Sequence, residues 1–400
     1  MEGTHHRLLR SEFDLLASAR AAPGPVRALK RSRVSRTLLL LRYILDGSPE
    51  LRPAARLLAE AHDTNPTAVN ELLISPWVSL WAAVCARDLT QRRHLLTANA
   101  VALAAAARCG LRGRAMVLEP YDGRVMIPTV GMLARGGPGR VTAEDLDGPW
   151  WWPVRSLTSV HSGRRISVPL DDVDPYRGFH GAPVQSRLTP AQFDTVAANF
   201  RDAWRLLVER CPRRAAELAG GLMSITPLMA GDAGEVRSAT SPEAFGGLAT
   251  TMPRDGVDFA IVMVREFQHS KLSALSALAP LWRSRPVCAL VHGIYALTAV
   301  AALWRDLKAP GPPGAFQPLG GKQPPEGAEA GLRERATREF AFVRVQLCRA
   351  LEGLAPGDPA LTAAGRRLLA RIDQTVKSLA RVSVPASAEA QARERLATAS

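Results

Sequence analysis

The sequence predicts a mainly α-helical α+β protein, a multi-helix globular fold carrying a small β-hairpin or sheet element. Three observations point there. Apolar residues recur at helical period through most of the chain. Alternation of period two is confined to short stretches, the clearest between Arg114 and Ile127. Four hundred residues at 47% hydrophobic and 22% charged content supply a large core and argue against general disorder.

The first segment, Arg36 to Leu45, reads as a buried helix through Leu38, Leu39, Leu40, Leu41, Ile44 and Leu45, ending near Asp46-Gly47. Pro53 to His62 follows as a helix with proline at its start, and Asn65-Pro66 opens another that runs to about Leu73. Ser75-Pro76 begins a helix through Trp77, Trp81 and Val84. Alanine-dense Leu95 to Cys109 continues the pattern until Gly110 stops it.

The pattern then changes. Arg114 to Pro120 alternates, and Asp122-Gly123 before Arg124 to Ile127 predicts a β-hairpin between these two runs. Ser167 to Leu170 is a weaker strand candidate. It delivers an acidic turn, Asp171, Asp172 and Asp174, whose composition lacks the glycine and distal glutamate of a calcium loop and fits a structural turn better. Helices return over Pro190 to Val208 and Ala215 to Leu222, Ser241 caps a short helix or turn, and a further helix begins at Asp258. A stretch rich in proline and glycine, from Pro310 to Pro325, reads as a flexible insertion. Ala336 to Leu354 and Leu361 to Val382 are closing helices, with a charged helix or disorder from Pro385. The organisation is therefore an N-terminal helical region over 1–112, a central α+β region over 113–308, a Pro/Gly-rich insertion over 309–335 and C-terminal helices over 336–400. No internal repeat is visible.

The formal net charge is +14, and 46 of the 51 basic residues are arginine. These residues are spread along the chain, so a solvated arginine-rich surface is favoured over a nucleic-acid or membrane partner; among anionic partners an acidic peptide fits best. No run of 18 uninterrupted apolar residues occurs, and the residues after Met1 lack the apolar stretch of a signal peptide, so the chain reads as cytoplasmic. The five cysteines are scattered without a C-x-x-C pair, and free buried thiols are expected. No G-x-S-x-G element supports a serine hydrolase.

The chemistry concentrates in Val264-Arg265-Glu266-Phe267-Gln268-His269. In an HExxH helix two histidines four residues apart share one face and reach the same ion. Here the first position holds Arg265, which stays protonated and has no lone pair to donate to a metal. Glu266 and His269, three apart, can still face one site, as Glu-x-x-His pairs do in helical bundles. The bland reading of His269 is a core histidine. Trp150-Trp151-Trp152 reads either as a peptide groove or as aromatic packing, and Ser238, Ser241 and Glu243 read as supporting or capping residues.

The segments Ser238 to Gly246, Glu266 to Leu275 and Val291 to Ala296 resemble an actinobacterial family, the HEXXH-motif peptide-modification proteins or αKG-HExxH-type peptide β-hydroxylases. The likeness extends to Asn65 to Leu73, Ser75 to Val78, Asp122 to Gly131, Asp171 to Arg177 and Leu361 to Arg366, and so covers nearly the whole chain apart from an insertion at about 309–331. It implies a non-haem Fe(II) enzyme that uses 2-oxoglutarate and O2 to hydroxylate a side chain of a ribosomally made precursor peptide. The family pattern has histidines at the positions of Arg265 and His269, with a further metal ligand placed at His292. With Glu266, the two remaining histidines make the usual facial set for such iron. Arg283 and Arg285 are the candidates for holding the 2-oxoglutarate carboxylate, since an arginine fork matches it. Arg265 opens a second possibility, an inactive family member that binds a peptide or partner protein, with the guanidinium in the place of the ion. A third is a zinc metallopeptidase with Glu266 as general base, a reading that the missing histidine weakens because three protein ligands are normal there.

Overall fold

The structure, a computed structural model, describes residues 7–120, 123–134, 139–142, 150–178, 181–231, 236–311, 327–355 and 357–398. The described residues form a mainly α-helical fold with small sheets, as the sequence predicts.

Six helices come first: α1 (Arg10–Ala17), α2 (Pro23–Asp46), α3 (Arg52–Thr64), α4 (Pro66–Leu73), α5 (Pro76–Arg87) and α6 (Arg92–Arg108). Proline stands in the first turn of α2, α3, α4 and α5, where its missing N–H costs no hydrogen bond. The Asn65 side chain caps α4 by accepting from the Ala68 N–H at 3.0 Å. Helix α2 begins well before Arg36 and buries Val26, Leu29, Arg33, Thr37, Leu41 and Ile44, a stripe at spacings of three and four. Leu39 lies off that stripe and is exposed.

Between the helices run β1 (Ala115–Leu118), β2 (Val125–Ile127), β3 (Gly131–Leu133), β4 (Gly139–Thr142), β5 (Trp151–Pro153), β6 (Arg155–His161) and β7 (Arg164–Leu170). The expected hairpin of β1 with β2 does not form. Strand β1 pairs with β4, and β2 pairs with β3 in a separate three-stranded sheet completed by β5. Both strands are short and each pairs with a strand farther along the chain; Asp122, the first residue of the expected Asp122-Gly123 turn, lies outside the described residues. The tight hairpin is instead β6–β7, closed by Ser162-Gly163 with both residues at positive φ, the two-residue turn that matches strand twist.

Helices α7 (Pro190–Arg210) and α8 (Pro212–Gly221) precede β8 (Ser224–Pro227), β9 (Ser238–Ala239) and β10 (Gly247–Thr250). Strands β6, β7, β8, β10 and β9 build a five-stranded mixed sheet in that order, leaving β9 at its edge. The closing helices are α9 (Gly256–Leu278), α10 (Arg285–Lys308), α11 (Ala328–Glu352), α12 (Ala363–Ala380) and α13 (Ala386–Thr398). Helix α11 therefore takes up the last eight residues assigned to the insertion, most of the rest of which lies outside the described residues.

Two cores result. The smaller joins the second half of α2 to α3–α6 and the first strands. The larger gathers α1, the first half of α2, the five-stranded sheet and α7–α12 around α9. The N-terminal helices thus divide between the two clusters. By length and composition α10 can cross a membrane, as can the bent α4–α5 pair; 56% of the apolar window of α10 is buried, and it packs on α9, α11 and α12 as a core helix does. Cys85 and Cys211 are buried free thiols, whereas Cys348 is exposed.

The acidic turn is structural. Asp171 accepts the backbone N–H groups of Val173 and Asp174 at 3.1 and 2.8 Å, and buried Asp172 pairs with Arg155 and Arg187. Of the three tryptophans, Trp150 is exposed and Trp152 stacks beneath the guanidinium groups of Arg124 and Arg187.

Candidate functional site

Helix α9 buries an apolar stripe along its first half: Phe259, Ala260, Met263, Val264 and Phe267 are buried at the spacing of one helix face. Asp255 caps it, accepting the Asp258 N–H at 2.7 Å, and Arg335 of α11 grips Asp255 and Asp258 together. At its middle, α8 comes so close that a Cβ on Gly221 would meet the Phe267 ring at 2.2 Å. The motif residues are therefore carried on a helix held at its N-terminal end and along one flank.

One face of α9 opens into a cavity of about 560 Å³ between α9, α10 and β9. Arg265, Glu266, His269 and Ser273 line it from α9, with 265, 269 and 273 one turn apart. His292, Gly293, Ala296 and Leu297 line it from α10, while Ser238, Ala239, Thr240 and Pro242 form the β9 rim. The proposed site residues Arg265, Glu266, His269 and His292 are thus brought to one cavity.

Their arrangement within it is specific. The His269 and His292 rings stack, with centroids 5.7 Å apart and planes 17° apart, and Trp282 meets His292 edge-on at 5.3 Å. Burial lowers His292 to about 4, with His269 adding to the effect. Burial also lowers His269, Glu266 pulling it back upward and Arg265 pushing it down. Both rings are neutral near pH 7, and among the described residues no side chain or carbonyl hydrogen-bonds to either.

Glu266 is otherwise engaged. Its Oε1 accepts from Ser238 Oγ at 2.6 Å and from Arg265 Nε at 3.0 Å, and Arg265 Nη2 also donates to Ser238 Oγ. The three side chains close a triangle in which the carboxylate is neutralised by the guanidinium beside it. Among the described residues no group of three His, Cys, Asp or Glu is disposed to hold a metal ion. This donor set does not fit a divalent ion bound by Glu266, His269 and His292, because the carboxylate is committed to a fixed cation that would repel one.

Arg283 and Arg285 are not among the residues lining the cavity. Arg283 is exposed and donates to the Pro359 carbonyl at 3.1 Å, and Arg285 is exposed at the start of α10. The loop that carries Arg283 pairs its backbone with Ala360 and Leu361, with Arg283 N–H donating to the Ala360 carbonyl at 2.7 Å. Ser241 forms a turn, accepting the Glu243 N–H, and Glu243 bridges Arg36 of α2 and Arg87 of α5. Sequence reasoning missed Trp282, Thr240 and Ser273, which carry no motif signal. It also missed Lys271, although a lysine inside an apolar helix of a chain with five lysines is a visible anomaly.

The chain matches no protein-family model and no curated protein.

Proposed function

We propose that this protein is a non-catalytic member of the HExxH peptide-modification type, which binds a peptide or partner protein at the α9–α10 cavity without a metal ion. The Arg265–Glu266 ion pair carries this reading. A permanently charged guanidinium occupies the position where an intact motif offers an imidazole lone pair. In a half-buried site two like unit charges at about 4 Å repel by about 4 kcal/mol, and a divalent ion doubles that.

What remains in the cavity suits a peptide. Two neutral imidazoles each offer one donor and one acceptor, Pro242, Ala296 and Leu297 give apolar walls, and the net charge of +14 favours an acidic sequence. The volume lies in the range of small-ligand pockets, enough for one or two side chains.

Anaerobic titration with Fe(II), with and without 2-oxoglutarate, tests the metal half by equilibrium dialysis. No stoichiometric iron is expected; one bound equivalent would overturn the reading and return the hydroxylase. For the binding half, Gly293→Leu projects into the cavity at a position where nothing lies within 4 Å of an added Cβ. It is expected to weaken binding of a fluorescent acidic peptide pool at least tenfold. Unchanged anisotropy curves would remove this cavity as the docking place.

A further inference from the structure

A second cavity, of about 420 Å³, lies at the other end of α10, where Arg305 is about 20 Å along the helix from His292. Five arginines line it: Arg20 from the α1–α2 connection, Arg210, Arg213 and Arg214 around the α7–α8 turn, and Arg305 from the last turns of α10. A single carboxylate, Asp306, lines it with them.

Three of the five are accounted for by the fold. Arg210 is held by Glu329 and the Ala309 carbonyl, Arg214 by Glu217 at 2.9 Å, and Arg305 by Asp306. Arg20 and Arg213 are different: both are exposed, and neither guanidinium has a hydrogen bond or ion pair among the described residues. Two cations without an ion-pair partner that line one hollow repel each other, and an anion placed between them relieves that repulsion. The first turn of α8, which starts at Pro212 on the same wall, adds its positive dipole end.

We propose that this cavity binds a small phosphate-bearing molecule, with Arg20 and Arg213 as the principal contacts. Guanidinium groups arriving from separate elements point at the ligand from several directions. A tetrahedral phosphate presents oxygens in several directions, whereas a carboxylate presents two in one plane. The hollow is wide enough for more than one phosphate group.

The test uses the full chain and sodium pyrophosphate as probe, with melting temperature followed at constant ionic strength held by NaCl. A saturable rise in Tm is expected for the native chain and is expected to fall at least fivefold in R20Q/R213Q, whose two sites are exposed and whose folding is to be checked by circular dichroism. R265Q, in the other cavity, should respond like the native chain. No saturable shift, or an equal shift in R20Q/R213Q, overturns the proposal. An equal response to citrate overturns the phosphate class.

Discussion

Lys271 Nζ lies 2.7 Å from Glu217 Oε1, and neither side chain reaches solvent. Glu217 also accepts from Arg214 at 2.9 Å and from the Ala22 N–H at 2.9 Å, with the Gln268 amide at 3.4 Å. A buried carboxylate with this many donors is fully satisfied, so the cluster ties α8, α9 and the α1–α2 connection at one point.

Removing one partner of such a pair leaves a buried charge exposed to the other's absence. Lys271→Met is expected to lower unfolding free energy by about 3–5 kcal/mol, read from urea transitions. A loss below about 1 kcal/mol would show that Arg214 alone neutralises Glu217.

The same carboxylate sets an acid limit. Burial by itself raises its pKa, but the charges of Lys271 and Arg214 outweigh burial and hold it at about 2, below the ordinary value of 4.5. A depressed carboxylate stabilises the fold above the unfolded-state pKa and loses that stabilisation as pH falls from about 4.5 toward 2. The contribution is on the order of 3 kcal/mol. Urea midpoints at pH 6 and pH 3 should diverge more in the native chain than in Glu217→Gln. Equal divergence would place the acid sensitivity elsewhere.

How much of this was legible follows from how local each feature is. Asn65, the N-terminal prolines and the apolar stripe of α9 act within a few residues, and the helices stand where those signals place them. Strand pairing is not local: β1 chooses β4 across more than twenty residues, and nothing in Ala115 to Leu118 announces it. The Ser162-Gly163 hairpin was readable, because Arg155 to Leu170 alternates on both sides of it, yet its first strand went unnoticed. In the site, helix spacing puts 265 and 269 on one face, but the closure of Arg265 onto Glu266 depends on Ser238, which packing of β9 delivers. Arg283 and Arg285 are near His292 in sequence, yet neither lines the cavity, and the Arg283 guanidinium is bonded to the Pro359 carbonyl from a segment 76 residues later, which no local signal announces.

The hairpin turn offers a stabilising change. Ser162 holds φ at 46° and Gly163 at 72°, and the left-handed region costs a serine more than it costs asparagine. Ser162→Asn is expected to raise stability by about 0.5 kcal/mol by thermal melting, and Gly163→Ala to lower it by about 1 kcal/mol. If Ser162→Asn destabilises, the turn is not the two-residue type described.

Arg265 is the residue on which the site's character depends. Arg265→His restores an imidazole four residues before His269 on the same face of α9, releases Glu266 from its cation, and leaves His292 stacked beside His269. Arg265→Gln releases Glu266 equally but supplies no comparable ligand. If the guanidinium is what keeps an ion out and the imidazole is what would hold one, Zn²⁺ affinity measured by competition with a chelating dye should rise at least about tenfold more in the histidine variant than in the glutamine variant. Equal gains would mean that removing the charge is sufficient and that His269, His292 and Glu266 already form a competent set. No gain in either variant would mean that the stacked imidazoles are held by Trp282 and the walls of α9 and α10 in an orientation that no substitution at 265 converts into a metal site.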